Sequence, residues 1–360
     1  MSTTISFHLV MLVIINILYM QYCYCYANNN KKSKISSLFA FGDSTVDPGN
    51  NNYIPTIMRG NFPPYGKDFD NHVATGRFTN GRLVTDLVAE YAGLKKNVPP
   101  YLKPNITIQD LMTGVSFASS GGGFDPFTPL MTGAIPQSQQ LEMFKEYKSK
   151  LEAKIGKKRT KTLVRNAGFL ISAGTNDIAF NYYGPILVQR TNYPNVLDYQ
   201  HFIGQNVNKF LQGLLNEGAS TIGIAGLPPI GCLPAMITLY STNPNSNRRC
   251  INYLNSISIK YNHMLQKNIK GLQRPGVKIV YFDIFNPIMD MVNQKAKYGF
   301  NEVNRGCCGD GYIGAALMCA NAPVCNDTSK YIFWDSVHPS EKAYRLVFDS
   351  LLPSIETIIS

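Results

Sequence analysis

Leu38-Phe39-Ala40-Phe41-Gly42-Asp43-Ser44 is a short apolar run that stops on a glycine and opens into polar residues. The same form, an apolar stretch ending in Gly, Ser, Asn or Asp, recurs along the chain. The segments are 35–41, 114–118, 168–173, 220–225 and 277–283. Runs of this length bounded by turn residues predict buried strands. Helical patterns separate most of them. Residues 198–217 carry Phe202, Ile203, Val207, Phe210, Leu211, Leu214 and Leu215 at helical spacing, stopped by Gly218, and another helical run spans 340–348. Strands alternating with helices predict an α/β domain whose parallel sheet is covered on both faces. Open sheets of this kind form their crevice beyond the carboxyl ends of the strands. Ser44, Gly121 to Gly123 and Asn176 each follow a predicted strand, which places them at that edge.

Outward from these segments, residues 30 to 360 show no internal repeat, low-complexity linker or break in composition. With 360 residues and 44% hydrophobic content, the chain can bury a sizeable core. Residues 7 to 20 form an apolar stretch of signal-peptide length, and Cys25 and Ala27 supply small residues for cleavage before Asn28. The expectation is a signal peptide over 1–27 and a single domain over 28–360. No later segment reads as membrane-spanning. Removing the leader leaves Cys232, Cys250, Cys307, Cys308, Cys319 and Cys325, an even set that reads as disulfides with fifteen possible full pairings. Neighbouring Cys307 and Cys308 are expected to bond different partners, and Cys232 can close a loop with Cys250. No Cys-x-x-Cys pair or His-Glu-x-x-His run suggests a metal. Asn105-Ile106-Thr107 and Asn326-Asp327-Thr328 are glycosylation sequons, in keeping with the same compartment.

The net charge of +11 is concentrated between Lys145 and Arg165, where nine basic residues face two acidic ones. A solvated helix is the plain reading, and docking on an acidic cell-wall polymer the sharper one. Nucleic-acid binding would need a recognisable module, and none is present.

Far from Ser44 in sequence stands Asp335-Ser336-Val337-His338-Pro339. A hydroxyl becomes a useful nucleophile when an imidazole takes its proton and a carboxylate orients that imidazole. Four histidines remain after residue 27: His72, His201, His263 and His338. His72 has no carboxylate at Asp-x-x-His spacing, and His263 lies in a helical pattern. His201 repeats the spacing with Asp198, which also reads as a cap on its helix. His338, just before a proline, sits in a loop that can turn with Asp335 towards a cleft. No Gly-x-Ser-x-Gly elbow occurs anywhere, so the route to ester chemistry differs from that of the enzymes built on it.

Phe41-Gly42-Asp43-Ser44-Thr45-Val46-Asp47-Pro48-Gly49-Asn50-Asn51 resembles the first block of the plant GDSL-motif esterase/lipases of the SGNH hydrolase superfamily. The likeness continues through Phe62–Gly66, Gly76–Arg82, Gly114–Ser119, Gly174–Asp177, Leu227–Cys232 and Cys307–Gly309, in order to the end of the chain. Thr45 stands where the family's name-giving Leu does, and Ser116 where many relatives carry Asn. The resemblance implies a three-layer α/β/α, flavodoxin-like sheet and a catalytic set of Ser44, Asp335 and His338. It implies an oxyanion hole from the Ser44 amide, the Gly123 amide (Gly122 is the near alternative) and the Asn176 side chain. The expected activity is a secreted serine esterase or lipase using no cofactor, acting on acyl lipids, acylated small molecules or polysaccharides. Its location would be the apoplast, cell wall or vacuole. An acyltransferase with the same triad and a non-catalytic binding protein that keeps the fold are the alternatives.

Overall fold

Phe39 and Phe41 alternate with Leu38 and Ala40 along the first strand, so the two faces of the sheet meet different partners. The structure, a computed structural model, describes residues 35–185, 188–242 and 248–360. The leader expected over residues 1 to 27 lies outside them. Strands β1 (Ser37–Gly42), β2 (Ala167–Ser172), β3 (Thr221–Ala225) and β4 (Lys278–Phe282) form one sheet in that order. Every neighbouring pair is parallel, with Phe39 opposite Phe169 and Gly168 opposite Thr221.

The expected strand at 114–118 takes a reduced form. Ser116 pairs in parallel with Ala40, beyond the outer edge of β1, and also with Pro100. The Ala40 amide donates to Val115 and the Phe117 amide donates to Ala40. The ladder is interrupted at the Gly42 amide, which donates instead to Gln140 Oε1 at 2.8 Å, although the Gly42 carbonyl still accepts from the Ser119 amide. Counting this segment, the spatial order is that of the flavodoxin-like sheet, with its switch point between β1 and β2.

Helices cover both faces. On one side lie α1 (Val84–Tyr91), α6 (Phe285–Asn293) and α7 (Glu341–Ile359), with α7 against β3 and β4. On the other lie α2 (Gln137–Ile155), with α3 (Lys157–Arg165) following it, α4 (Val196–Asn216) and α5 (Asn252–Lys270). Phe39 and Phe41 join Phe117, Phe144, Phe169 and Tyr147 in an aromatic cluster under α2, with ring centroids 5.0–5.4 Å apart for the closest pairs. Each such buried ring contributes roughly 1.5–3 kcal/mol by leaving water.

The helix expected at 198–217 runs two residues earlier, and its cap is Asn195, whose side chain accepts from the Leu197 amide. Asp198 therefore lies within the first turn and does not cap it. The helical run expected to end at Phe348 continues through Pro353 to Ile359, since Leu351, Ile355, Ile358 and Ile359 extend its buried face. A small second sheet pairs β5 (Glu302–Gly306) with β6 (Tyr331–Phe333), and β6 leads directly into Asp335. Disulfides join Cys232 to Cys250, Cys307 to Cys325 and Cys308 to Cys319, so neighbouring Cys307 and Cys308 do bond different partners. The last two bridges pack with Tyr65, Phe78 and Trp334 as a separate buried cluster.

Candidate active site

The turn after β1 projects Ser44. Gly42 has φ 139°, and a Cβ there would lie 1.9 Å from the Ser172 carbonyl oxygen, so only glycine lets β1 leave the sheet this way. Gln140 fixes the same glycine from both sides, accepting from its amide and donating to its carbonyl at 2.9 Å. Asp43 then receives the Thr45 amide and hydroxyl, closing a tight turn around Ser44. Thr45, the departure from the name-giving Leu, uses its hydroxyl here and on Ser172 Oγ at 2.7 Å. Burial pushes the Asp43 carboxyl up to about 6, because a charge removed from water favours its neutral form.

The loop from β6 to α7 brings the second half of the constellation. His338 Nε2 lies 2.7 Å from Ser44 Oγ. His338 Nδ1 lies 2.9 and 2.8 Å from the two carboxylate oxygens of Asp335. The Val337 and His338 amides both donate to Asp335 Oδ1, which holds the carboxylate across the loop. Tyr65 donates to Asp335 Oδ2 at 2.8 Å and accepts from the Ala316 amide. Burial first and the Asp335 charge second push the Tyr65 phenol well above its usual range, so it remains a donor. Phe78 packs against the imidazole, with centroids 4.8 Å apart. Ser44, Asp335 and His338 are all buried.

The three expected oxyanion donors differ in what already engages them. Asn176 Nδ2 donates to the Gly122 carbonyl at 2.8 Å, which orients the amide and leaves its second N–H available. The Gly122 amide is occupied in a turn to the Ser119 carbonyl. The Ser44 and Gly123 amides have no acceptor among the described residues. That difference favours Gly123 over Gly122 as the glycine donor. Asp177, beside Asn176, receives the Phe124 and Asp125 amides and the Thr128 hydroxyl, pinning the glycine loop to the end of β2. Burial pushes its carboxyl up to about 7.

Several supports were not singled out from sequence. Asp47 receives the Gly49, Asn50 and Ser120 amides and the Ser120 hydroxyl. Asn50 donates to the Ser116 and Ala118 carbonyls. Ser116 donates to the Val46 carbonyl. These bonds lock the first motif block to the 114–120 segment. The signal was present, since Asp47, Asn50, Ser116 and Tyr65 all fall inside the family blocks, but their partners are distant in sequence. The rival His201 is exposed on α4, and His72 and His263 are exposed as well. None of the three approaches Ser44. Asn105 and Asn326 are exposed. In the basic segment, Lys145, Lys148 and Lys150 pair with Glu142, Glu217 and Glu146, while Lys154, Lys157, Lys158, Arg159, Lys161 and Arg165 face solvent.

Comparison with known proteins follows the same lines. A family model for GDSL-like lipase/acylhydrolases matches residues 38–351. The Arabidopsis thaliana protein named GDSL esterase/lipase At5g45960 is 50% identical over 334 residues, covering 91% of this chain and 88% of its own. A second Arabidopsis protein, GDSL esterase/lipase At2g40250, is 45% identical, with 93% of each chain covered. A third, GDSL esterase/lipase At2g31550, is 42% identical over 92% of this chain. With its parallel sheet, its Ser44 turn and these relatives taken together, the chain belongs to the GDSL-like lipase/acylhydrolase family.

Proposed function

We propose that this protein is a serine esterase or lipase that hydrolyses carboxylic esters through an acyl-enzyme on Ser44. The observation that carries the reading is the continuous relay from Ser44 Oγ through His338 to Asp335, with 2.7 and 2.8 Å between successive groups. His338 Nε2 takes the Ser44 proton as Oγ attacks the ester carbonyl carbon. Asp335 holds the imidazole in the tautomer that leaves Nε2 free to accept and stabilises the imidazolium that forms. The carbonyl oxygen becomes an oxyanion, facing the Ser44 and Gly123 amides and Asn176 Nδ2. As the tetrahedral adduct collapses, His338 gives its proton to the departing alcohol. Water then loses a proton to His338 and attacks the acyl-enzyme, releasing the acid and restoring Ser44.

Secretion belongs to the same proposal. The leader over 1–27 is removed, and Asn105 and Asn326, both exposed, carry glycans. The disulfides support an oxidising compartment. The solvent-facing bases of α3 are the side that would meet an acidic wall polymer.

The decisive experiment labels purified protein with a fluorophosphonate and follows hydrolysis of a p-nitrophenyl ester. Labelling should map to Ser44 and vanish in Ser44→Ala. His338→Ala should lose several orders of magnitude in kcat, and the double variant little more, because members of one catalytic unit are not additive. His201→Ala should keep wild-type turnover. A folded Ser44→Ala protein with full activity would remove the nucleophile. An intact mass that retains the leader and lacks glycans would remove the extracellular assignment.

A further inference from the structure

Beneath the catalytic turn, the sheet and α7 do not close on one another. A narrow, largely enclosed cleft starts at Ser44, Asn176 and His338. It continues between the carboxyl ends of β2, β3 and β4 and the helices α1, α6 and α7. Its walls beyond the triad are almost wholly apolar: Leu170, Ala225, Phe282, Ile288, Val347 and Leu351. From α7 the lining residues are Tyr344, Val347 and Leu351, one stripe at helical spacing. Tyr344 lies at the triad end, near enough to Asp43 and Asp335 to feel both charges. Leu351 lies at the other. Leu351 also borders a polar surface groove whose other walls include Asp290, Tyr298, Ser350 and Ser354. Leu351 is the one residue that lines both the apolar cavity and that groove.

We propose that this cavity holds the acyl chain of the substrate, that Leu351 is its end stop, and that the preferred esters carry straight medium-length acyl groups. The proposal rests on Ser44 being the nucleophile. The alcohol departs in the first half of the reaction and water must enter in the second. The acyl group alone stays on Ser44 throughout. An apolar cavity stopped at its far end suits the group that stays and would trap the group that leaves. The length follows from α7. Seven residues separate Tyr344 from Leu351, a rise of about 10 Å. An extended hydrocarbon advances about 1.25 Å per carbon, so roughly eight carbons fill the space. The apolar walls contribute through burial, worth on the order of a three- to fourfold gain in kcat/KM for each methylene that fits. The polar groove beyond Leu351 offers no such gain.

The test compares p-nitrophenyl esters from acetyl to hexadecanoyl, with fluorophosphonate labelling of Ser44 measured in parallel. In the wild-type protein kcat/KM should climb with acyl length to a maximum near eight carbons and then fall. Leu351→Ala should move the maximum towards longer chains, because the cavity then joins the groove. Ile288→Phe, which narrows the cavity from α6, should lower the octanoyl-to-acetyl ratio of kcat/KM at least tenfold. Acetyl esters of alcohols of increasing length form the control series and should show no such climb. A flat acyl profile in wild-type protein that labels at Ser44 would overturn the acyl tunnel while leaving the nucleophile in place. So would a climb confined to the alcohol series. A maximum that stays put in folded Leu351→Ala would overturn the end stop. Absence of both labelling and hydrolysis for every ester would overturn the esterase reading, and the tunnel with it.

Discussion

Asp335 accepts from two backbone amides of its own loop, from His338 Nδ1 and from Tyr65, a residue 270 positions away. The loop alone would place the carboxylate beside the imidazole. Tyr65 decides how firmly it stays there, and the tyrosine is itself wedged by Phe62, Phe78 and Trp334. A hydrogen bond to a charged acceptor contributes about 1.5–3 kcal/mol. Tyr65→Phe keeps the ring, removes that donor and leaves the buried Ala316 amide without its acceptor. Its kcat should fall about tenfold while KM holds, and its melting temperature should fall by a few degrees as the Ala316 amide loses its partner. A merely structural role would lower the melting temperature and leave kcat in place, so kcat of the folded variant separates the two.

The loops that follow the 114–118 segment and β2 act as one element, because Asp177, next to Asn176, receives the amides of Phe124 and Asp125 just after the glycine run. A Cβ on Gly123 would lie 2.3 Å from Asp177 Oδ1. The clash can be relieved only by moving the carboxylate that receives Phe124, Asp125 and Thr128. Gly123→Ala should therefore displace two of the proposed oxyanion donors together, its own amide and the nearby Asn176 side chain. Losing one such donor typically costs on the order of 10²–10³ in kcat, and Gly123→Ala should reach at least that range. Single-turnover acylation of Ser44 is the measurement, since the loss belongs to the chemical step. Acylation at the wild-type rate would show that the loop tolerates a side chain and that the donor lies elsewhere.

At the scale of the whole molecule, Asp43, Asp47 and Asp177 are all buried and all raised above the usual carboxylate range, with burial the leading cause in each. Asp43 reaches about 6 and Asp177 about 7, against 3.8 for an unperturbed aspartate. Between those values the folded protein holds protons that the unfolded chain has already released. The contribution of these groups to stability therefore falls as pH rises from about 4 to about 7 and is constant above that window. Urea unfolding at pH 5 and pH 7.5 should show it, and Asp43→Asn should reduce the difference by about 1 kcal/mol, the share of its linkage that falls between those two pH values. An unchanged difference in both Asp43→Asn and Asp177→Asn would mean that these carboxyls titrate normally. Asp86, also buried, is instead paired bidentately with Arg77 at 2.8 and 2.7 Å and receives the Leu83 and Val98 amides.

The sequence by itself determined the alternation of strands and helices, the place of Ser44, Gly123 and Asn176 at the strand ends, and the Asp335–His338 pair. These follow from local rules: apolar periodicity, turn residues, and an Asp-x-x-His spacing short enough for one loop to satisfy. The choice of His338 over His201 drew mostly on the resemblance, with the loop before Pro339 and the helical setting of His201 as the local signals. Only the tertiary structure separated them, by exposing His201 on α4 and bringing His338 within 2.7 Å of Ser44. It also reduced the 114–118 strand to isolated bridges, since a side chain from α2 takes the Gly42 amide that the ladder would use. It moved the helix cap from Asp198 to Asn195 and carried the last helix on to Ile359. The donor from Tyr65, the Asp177 clamp and the cavity ending at Leu351 had no readable signal in spacing. Each depends on side chains from distant segments meeting, and such meetings are fixed by how the layers pack rather than by any one stretch of chain.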